Sequence, residues 1–234
     1  MRSLTELTEV DEPAWPTIMA EISESPLTVK TLPADEEHGS ACLHWLQVTA
    51  RSPLGAMALH CGGILLDHGW VRIYGGATDF PSLRSVNGIS DDDATPPSGS
   101  LVVGHDVLGG VFSLNGMDSQ AWGRGAPGEI AYFAPDSLRW ESLGAGYGAW
   151  LSWLLSGRTN QFYQDLRWPG WETESAAVGL TEGLSVVPFL WSKEGRQDLS
   201  ATSRRAVPMH EVLGMSSDVS QQFDGADPGF LGLL

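Results

Sequence analysis

Short apolar stretches separated by glycine-containing turns are the strongest constraint on how this chain folds. Six have strand-like composition: Leu54 to His60, Ile64 to Asp67, Trp70 to Tyr74, Leu101 to Val103, Val111 to Leu114 and Glu129 to Phe133. The turns at 62–63, 67–69 and 108–110 are short, whereas parallel strands need a crossover of about a dozen residues. The pattern therefore predicts an antiparallel meander and disfavours a doubly wound parallel sheet.

Helical spacing of apolar residues flanks this region. It occurs within residues 1–30, from a cap at Asp35 through Leu46, and again after Trp140 up to Gly157. Later segments predict a strand over 184–191 and a helix within 193–214 that ends before a segment interrupted by Pro208. We predict an α+β fold with a central, mostly antiparallel sheet and helices packed around it.

The chain shows no internal repeat and no linker, and 42% of its 234 residues are hydrophobic, enough for a sizeable core. We predict a single α+β domain over residues 1–214. Residues 215–234 are rich in Ser, Asp and Gly and are expected to form a loosely held C-terminal tail. The polar stretch at 77–100, which contains Asp91 to Asp93, is expected to be a mobile loop.

Net charge excludes several classes of partner. The chain has 13 Lys+Arg against 29 Asp+Glu, a formal net charge of −16, so it repels nucleic acid and anionic lipid. Its apolar runs are shorter than the ~20 residues of a membrane span, and its N-terminus lacks the features of a secretory signal. Cys42 and Cys61 are too few for a disulfide framework and are expected to be buried thiols. These features predict a cytoplasmic location.

Known catalytic patterns do not occur in the sequence. It contains no G-x-S-x-G elbow and no metal-ligand spacing among its six His and two Cys. The stretch 144–149 matches a dinucleotide fingerprint, but the preceding segment is half polar and the following one is helical, so the match is rejected. We expect no catalytic residue, no metal and no cofactor.

The candidate binding residues lie at predicted strand ends and among Gly and Pro. In a chain this acidic, an Arg near the sheet usually has a carboxylate partner, and the alternative is a small polar pocket at the strand ends. Trp122, Trp168 and Trp171 are candidates for an exposed aromatic surface. The candidate surface or pocket comprises Arg51, Asp67, His68, Trp70, Arg72, His105, Asp106, Trp168 and Trp171.

Long strings along the chain resemble the DUF2625 family of uncharacterised bacterial proteins. They are EPAWP at 12–16, RSPLGA at 51–56, GGILLDHGW at 62–70, YFAPD at 132–136, RWPGWE at 167–172 and PFLW at 188–191. Shorter ones at 72–76, 103–112, 128–130 and 140–141 are similar to the SUKH superfamily. That resemblance implies an α+β protein-binding module, of which many relatives are immunity proteins that neutralise toxins, including nucleases.

The leading hypothesis is therefore a non-catalytic, cytoplasmic protein-binding module of SUKH-like type that masks a basic partner. Its acidity fits, because an acidic surface blocks a basic cleft and accelerates encounter with it. One alternative is a small hydrolase or sugar-binding enzyme with Asp67, His68, His105 and Asp106 around a pocket with Trp70. Another is a structural role in a homo-oligomer through residues 168–171.

Overall fold

A computed structural model of the chain describes residues 1–78, 80–89, 99–116, 123–224 and 227–234. The strands are β1 (Val29–Leu32), β2 (Gly63–Leu66), β3 (Val71–Tyr74), β4 (Ser100–Asp106), β5 (Val111–Asn115), β6 (Glu129–Ala134), β7 (Arg139–Gly146), β8 (Glu182–Val187) and β9 (Ser203–Pro208). The helices are α1 (Leu4–Thr8), α2 (Trp15–Glu24), α3 (Glu36–Leu46), α4 (Pro53–His60), α5 (Leu83–Val86), α6 (Tyr147–Leu155), α7 (Thr159–Phe162), α8 (Trp171–Ala177), α9 (Lys193–Gln197) and α10 (Met209–Asp224). Within the described residues, no helix combines the length and the apolar character that crossing a bilayer requires.

The first seven strands form one sheet in the order of the sequence, and each neighbouring pair is antiparallel. The predicted α+β class and central antiparallel meander are thus confirmed. Strands β8 and β9 form a separate antiparallel hairpin, which is joined to the main sheet where the Leu184 amide donates to the Val107 carbonyl at 2.6 Å.

Side-chain alternation along the strands gives the seven-stranded sheet two different faces. One face packs against helices: α6 contacts β6 and β7, and Trp150 lies 5.3 Å from Phe112 between ring centroids. The other face includes Tyr74 and His105, whose ring centroids lie 5.6 Å apart. Buried apolar side chains from Ile18 to Leu231 form one continuous cluster.

One predicted strand is wrong. Residues 54–60 form α4 instead, capped by Ser52, whose hydroxyl accepts a hydrogen bond from the Gly55 amide at 3.0 Å. Pro53 occupies the first turn, where its missing N–H costs nothing. Five consecutive residues of α4, Leu54 to Ala58, are buried. A short, continuously apolar run has no periodicity by which a helix and a strand can be distinguished.

Three strands were not predicted. Residues 29–32 form β1, where the sequence predicted helical spacing within residues 1–30 and no strand. Residues 139–146 form the edge strand β7, and residues 203–208, within the segment predicted to be a helix, form β9. Pro208 lies at the end of β9, where it pairs with Glu182. The helical prediction failed there because a two-stranded hairpin leaves most of β9 exposed, so its sequence carries no apolar alternation.

The C-terminal residues are held more firmly than the expected loose tail. Helix α10 runs across the predicted boundary at residue 214. Beyond it, the Pro228 carbonyl accepts hydrogen bonds from Arg124 and Trp140, both at 2.8 Å, and the Leu233 amide donates to the Val86 carbonyl at 2.8 Å. Of the stretch predicted to be a mobile loop, residues 79 and 90–98, including Asp91 to Asp93, lie outside the described residues.

Both cysteines are free and buried, as the sequence predicts. Cys42 lies in α3, and Cys61 follows α4. Burial raises the pKa of Cys42 to about 12 and that of Cys61 to about 11. Both thiols are therefore protonated at neutral pH and are poor nucleophiles.

We expect Leu231→Ala to lower the free energy of unfolding by about 2–3 kcal/mol, because Leu231 is buried in the core cluster. Leu233→Ala is the matched control, since Leu233 is 57% exposed, and should change that free energy by less than about 0.5 kcal/mol. Urea unfolding followed by circular dichroism measures both. Equal, small effects would mean that residues 227–234 do not pack as described.

Candidate functional site

Asp67, His68 and Trp70 occupy the turn between β2 and β3. Asp67 and His68 both have left-handed backbone angles, with φ of 54° and 58°, and the Trp70 amide closes the turn on the Asp67 carbonyl at 3.1 Å. The Asp67 carboxylate pairs with Arg167 at 2.5 Å, and both side chains are largely buried. This ion pair ties the turn to the segment that precedes α8.

Four of the nine candidate residues meet in one aromatic cluster. Trp70 is fully buried, and its ring centroid lies 5.7 Å from that of Trp168 and 5.2 Å from that of Trp171. The His68 ring lies edge-on to Trp171 at 5.9 Å. The Arg167 guanidinium stacks 3.8 Å from the centre of the Trp171 ring. This geometry is a packed cation–π cluster.

This packing contradicts the prediction of an exposed aromatic surface. Trp168 is buried, lies under the Arg204 guanidinium at 4.4 Å, and donates its indole N–H to Glu174 at 2.9 Å. Trp171 is half-buried. Trp122 lies outside the described residues.

Asp106 is a buried structural carboxylate at the end of β4. Its Oδ1 accepts from the Leu108 and Gly110 amides, both at 2.9 Å, and its Oδ2 accepts from the hydroxyls of Tyr132 at 2.6 Å and Tyr163 at 3.1 Å. Burial raises the pKa of Asp106, and these hydrogen bonds oppose the rise. With four donors engaged, the carboxylate has little capacity left for a substrate.

His105 is also fully buried, but on the other face of the sheet. Its Nε2 donates to the Leu231 carbonyl at 2.8 Å, since a carbonyl only accepts, and its Nδ1 therefore accepts from the Tyr74 hydroxyl at 2.8 Å. Burial, with a smaller contribution from the positive charge of Arg72, lowers the pKa of His105 to about 4. The ring is neutral at pH 7.

The predicted pocket of Asp67, His68, His105 and Asp106 therefore does not form as one site. His105 and Asp106 are consecutive residues of one strand and project to opposite faces. Asp106 reaches the Trp70 cluster through Tyr163, which contacts both. Tyr132, Tyr163 and Arg167 are the functional partners that the sequence analysis missed, because their contacts span 26 to 100 residues of sequence.

The arginines differ in how they are neutralised. Arg51 is exposed and pairs with Glu12 at 3.0 Å on the surface. Arg167 and Arg204 pair with Asp67 and Glu174. Arg72, which is 2% exposed, has no carboxylate within ion-pair distance among the described residues, so the expectation of a structural carboxylate partner does not hold for it.

A groove that sequence reasoning did not identify lies beside β8 and α10. Two cavities of about 210 and 800 Å³ share Phe189 and Trp191 in their walls. The two rings stack with centroids 4.7 Å apart and planes 10° apart. Met215, an exposed apolar side chain of α10, lines the smaller cavity. We call these two cavities the Phe189–Trp191 groove.

Among the described residues, no three His, Cys, Asp or Glu side chains are grouped so as to hold a metal ion. Two buried groups with the chemistry of ligands, Asp106 and His105, are hydrogen-bonded to tyrosine hydroxyls and backbone groups.

Comparisons with known proteins give a family. A model described as "Protein of unknown function DUF2625" matches residues 4–212. The chain is 33% identical over 224 residues to the uncharacterized protein YbfG of Escherichia coli (strain K12), over 95% of this chain and 99% of that protein. It is 32% identical over 178 residues to an uncharacterized protein of Haemophilus influenzae, over 74% and 76% of the two chains. No solved structure matches.

We expect the buried neutral His105 to make stability fall as pH falls. The unfolded imidazole binds a proton near pH 6.5, but the folded one only near pH 4, so the stability present at pH 7 is lost as pH drops through this interval. The loss is about 3 kcal/mol. Urea unfolding at pH 7 and pH 4 should show this extra loss in the wild type relative to His105→Gln.

The Gln variant retains Asp106, so the opposite contribution of that carboxyl cancels in the comparison. An identical pH dependence of the two proteins would contradict a neutral, buried His105. The amide of Gln can still donate to the Leu231 carbonyl, which favours a folded variant.

Proposed function

Because the chain belongs to the DUF2625 family, whose function is unknown, we propose from its geometry that it is a non-catalytic protein-binding module of SUKH-like type that masks a basic partner, as an immunity protein does. The observation that carries the proposal is the Phe189–Trp191 groove. A stacked aromatic pair between two cavities is the kind of anchor on which protein interfaces concentrate their binding energy.

The groove has a mixed lining suited to a protein. Leu184, Val186 and Val207 contribute apolar walls to the smaller cavity, whereas Arg196 and Glu194 line the larger one. An apolar centre with charged groups around it is the usual anatomy of a non-obligate interface. Met215 adds an adaptable apolar contact, because its side chain is unbranched and polarisable.

Overall charge supports a basic partner. The formal net charge is −16, and α1, α2 and α3 expose acidic side chains, among them Glu6, Glu24 and Glu36. The electric field of such a chain attracts a basic protein at long range, and at low salt the ions in solution screen this attraction only weakly. The groove then supplies the short-range contacts. A cytoplasmic location is part of the proposal and agrees with two free thiols.

The alternative of a small hydrolase or sugar-binding enzyme receives less support. It needs an acid and a base within hydrogen-bond reach of one substrate atom. Asp106 and His105 project to opposite faces, and the Asp67 carboxylate is paired with Arg167. A homo-oligomer through residues 168–171 is also less favoured, since Trp168 is buried within one chain.

We expect Met215→Glu to abolish partner binding, because it places a charge in the groove. Met19→Glu in α2 is a matched control, since Met215 is 41% exposed and Met19 is 42% exposed. Each protein is used as bait in a lysate of its native cell, at low and high salt, with mass spectrometry as the readout. At low salt, the wild type and Met19→Glu should retain a basic protein. Met215→Glu should not retain it.

The captured protein is then purified and titrated against all three chains by calorimetry. Equal affinity of Met215→Glu and Met19→Glu would contradict the assignment of the groove. Retention of acidic proteins only, or binding that does not weaken with salt, would contradict a basic partner. Turnover of esters or glycosides by the purified chain would favour the enzymatic alternative.

A further inference from the structure

Strand register places a row of side chains across one face of the seven-stranded sheet. Lys30 of β1 is opposite Leu65 of β2, Leu65 is opposite Arg72 of β3, and Arg72 is opposite His105 of β4. Directly opposed residues share a face of an antiparallel sheet. The row therefore brings Lys30, from the edge strand, to the same side as the buried Arg72.

Arg72 is a buried cation with no carboxylate within ion-pair distance among the described residues, and Asp106 and Glu182 act on its charge only from farther away. Its Nη1 donates to the carbonyls of Leu180, at 3.2 Å, and Glu182. Its Nε is buried without a hydrogen-bond partner, and its Nη2 has none among the described residues. Burying an unpaired charge is costly, so a guanidinium in this state is an unusual feature in a folded chain.

The carboxylates nearest to Arg72 are committed elsewhere. Glu182 accepts from the Gly179 amide at 2.9 Å, and Asp106 accepts from two tyrosines and two amides. Neither forms an ion pair with Arg72 within the described part of the chain. Their charges favour the charged form of Arg72 from a distance, but its Nε remains without a hydrogen-bond partner and can donate to an incoming group.

A cavity of about 340 Å³ opens beside this row. Its charged or ionisable lining consists of Lys30, His68 and Arg72, and its apolar walls include Leu65, Val178 and Leu180. No Asp or Glu is among the described residues that line it, although the chain has 29 Asp+Glu and only 13 Lys+Arg. Ser175, also in the wall, has a buried hydroxyl with no hydrogen-bond partner.

We propose that this cavity binds the carboxylate of a small organic acid. Arg72 is the anchor, because Nε and Nη2 are the pair of donors that a guanidinium uses for a side-on, bidentate carboxylate. Lys30 adds positive charge, and both Lys30 and His68 can add hydrogen-bond donors to the lining. The apolar walls contact the carbon chain, and the volume lies at the lower end of small-ligand sites. The site is independent of the Phe189–Trp191 groove.

The number of hydrogen-bond donors in the cavity favours a carboxylate over a phosphate as the ligand. A phosphate dianion is usually held by a series of backbone amides at a helix N-terminus or a glycine loop together with cations. Here the buried donors without a partner are the Nε of one guanidinium and the hydroxyl of Ser175, and a guanidinium suits a planar monoanion. The apolar lining favours a ligand with a hydrocarbon part over an inorganic ion.

Calorimetric titration of the full chain with sodium acetate, butyrate, succinate and glutarate, at constant ionic strength, tests the proposal. At least one acid should bind, and Lys30→Glu should weaken it about tenfold, because reversal of a nearby charge replaces attraction with repulsion. Lys193→Glu is the matched control, since the chain has these two lysines only and Lys193 lines the other groove. It should bind like the wild type.

Arg72→Met should abolish binding, and a heat-unfolding scan checks that this variant folds. If Arg72→Met does not fold, the comparison of Lys30→Glu with Lys193→Glu still tests the proposal. Absence of binding by every acid up to tens of millimolar would overturn the site, as would equal weakening by Lys30→Glu and Lys193→Glu. Tighter binding of inorganic phosphate than of any acid, sensitive to Lys30→Glu, would overturn the carboxylate assignment.

Discussion

The hydrogen-bonded carboxylate of Asp106 is the interaction on which the centre of this structure depends. It accepts from the Leu108 and Gly110 amides of the β4–β5 turn, from Tyr132 of β6 and from Tyr163 beyond α7. A Cβ at residue 110 would lie 2.1 Å from Asp106 Oδ2, so the glycine is required for the turn to approach the carboxylate. One buried group thus joins two strands, a turn and a helical segment, and unmet donors would be costly if it were removed.

Alternation along β4 separates two kinds of chemistry by a single residue. Asp106 is on the helical face, where its donors are all internal, and His105 is on the opposite face beside Arg72. Arg72 donates to two carbonyls and forms no ion pair with a described carboxylate. On the first face the Asp106 carboxylate finds its donors within the chain, whereas the second face carries a buried cation without an ion pair among the described residues.

The two surfaces proposed here have different physical origins. The Phe189–Trp191 groove arises where the β8–β9 hairpin and α10 meet and leaves aromatic and apolar groups accessible, which suits a protein. The cavity beside Arg72 is lined by the sheet, adjacent loops and α8, and its described lining has cations without acids, which suits a small anion. A single chain can therefore hold a macromolecular surface and a small-ligand site without sharing residues between them.

Local patterns in the sequence were enough to determine the antiparallel meander, the helix capped at Asp35 and the burial of Cys42 and Cys61, because short turns, caps and apolar spacing act between neighbouring residues. Residues 54–60 were misassigned because a fully apolar run has no period. Tertiary structure alone decided that Asp67 pairs with Arg167, that Asp106 binds two tyrosines and that Leu231 packs in the core. It also decided that Arg72 forms no ion pair with any carboxylate of the described residues. These contacts join residues far apart in sequence, and their partners depend on strand register and packing, which no local pattern encodes.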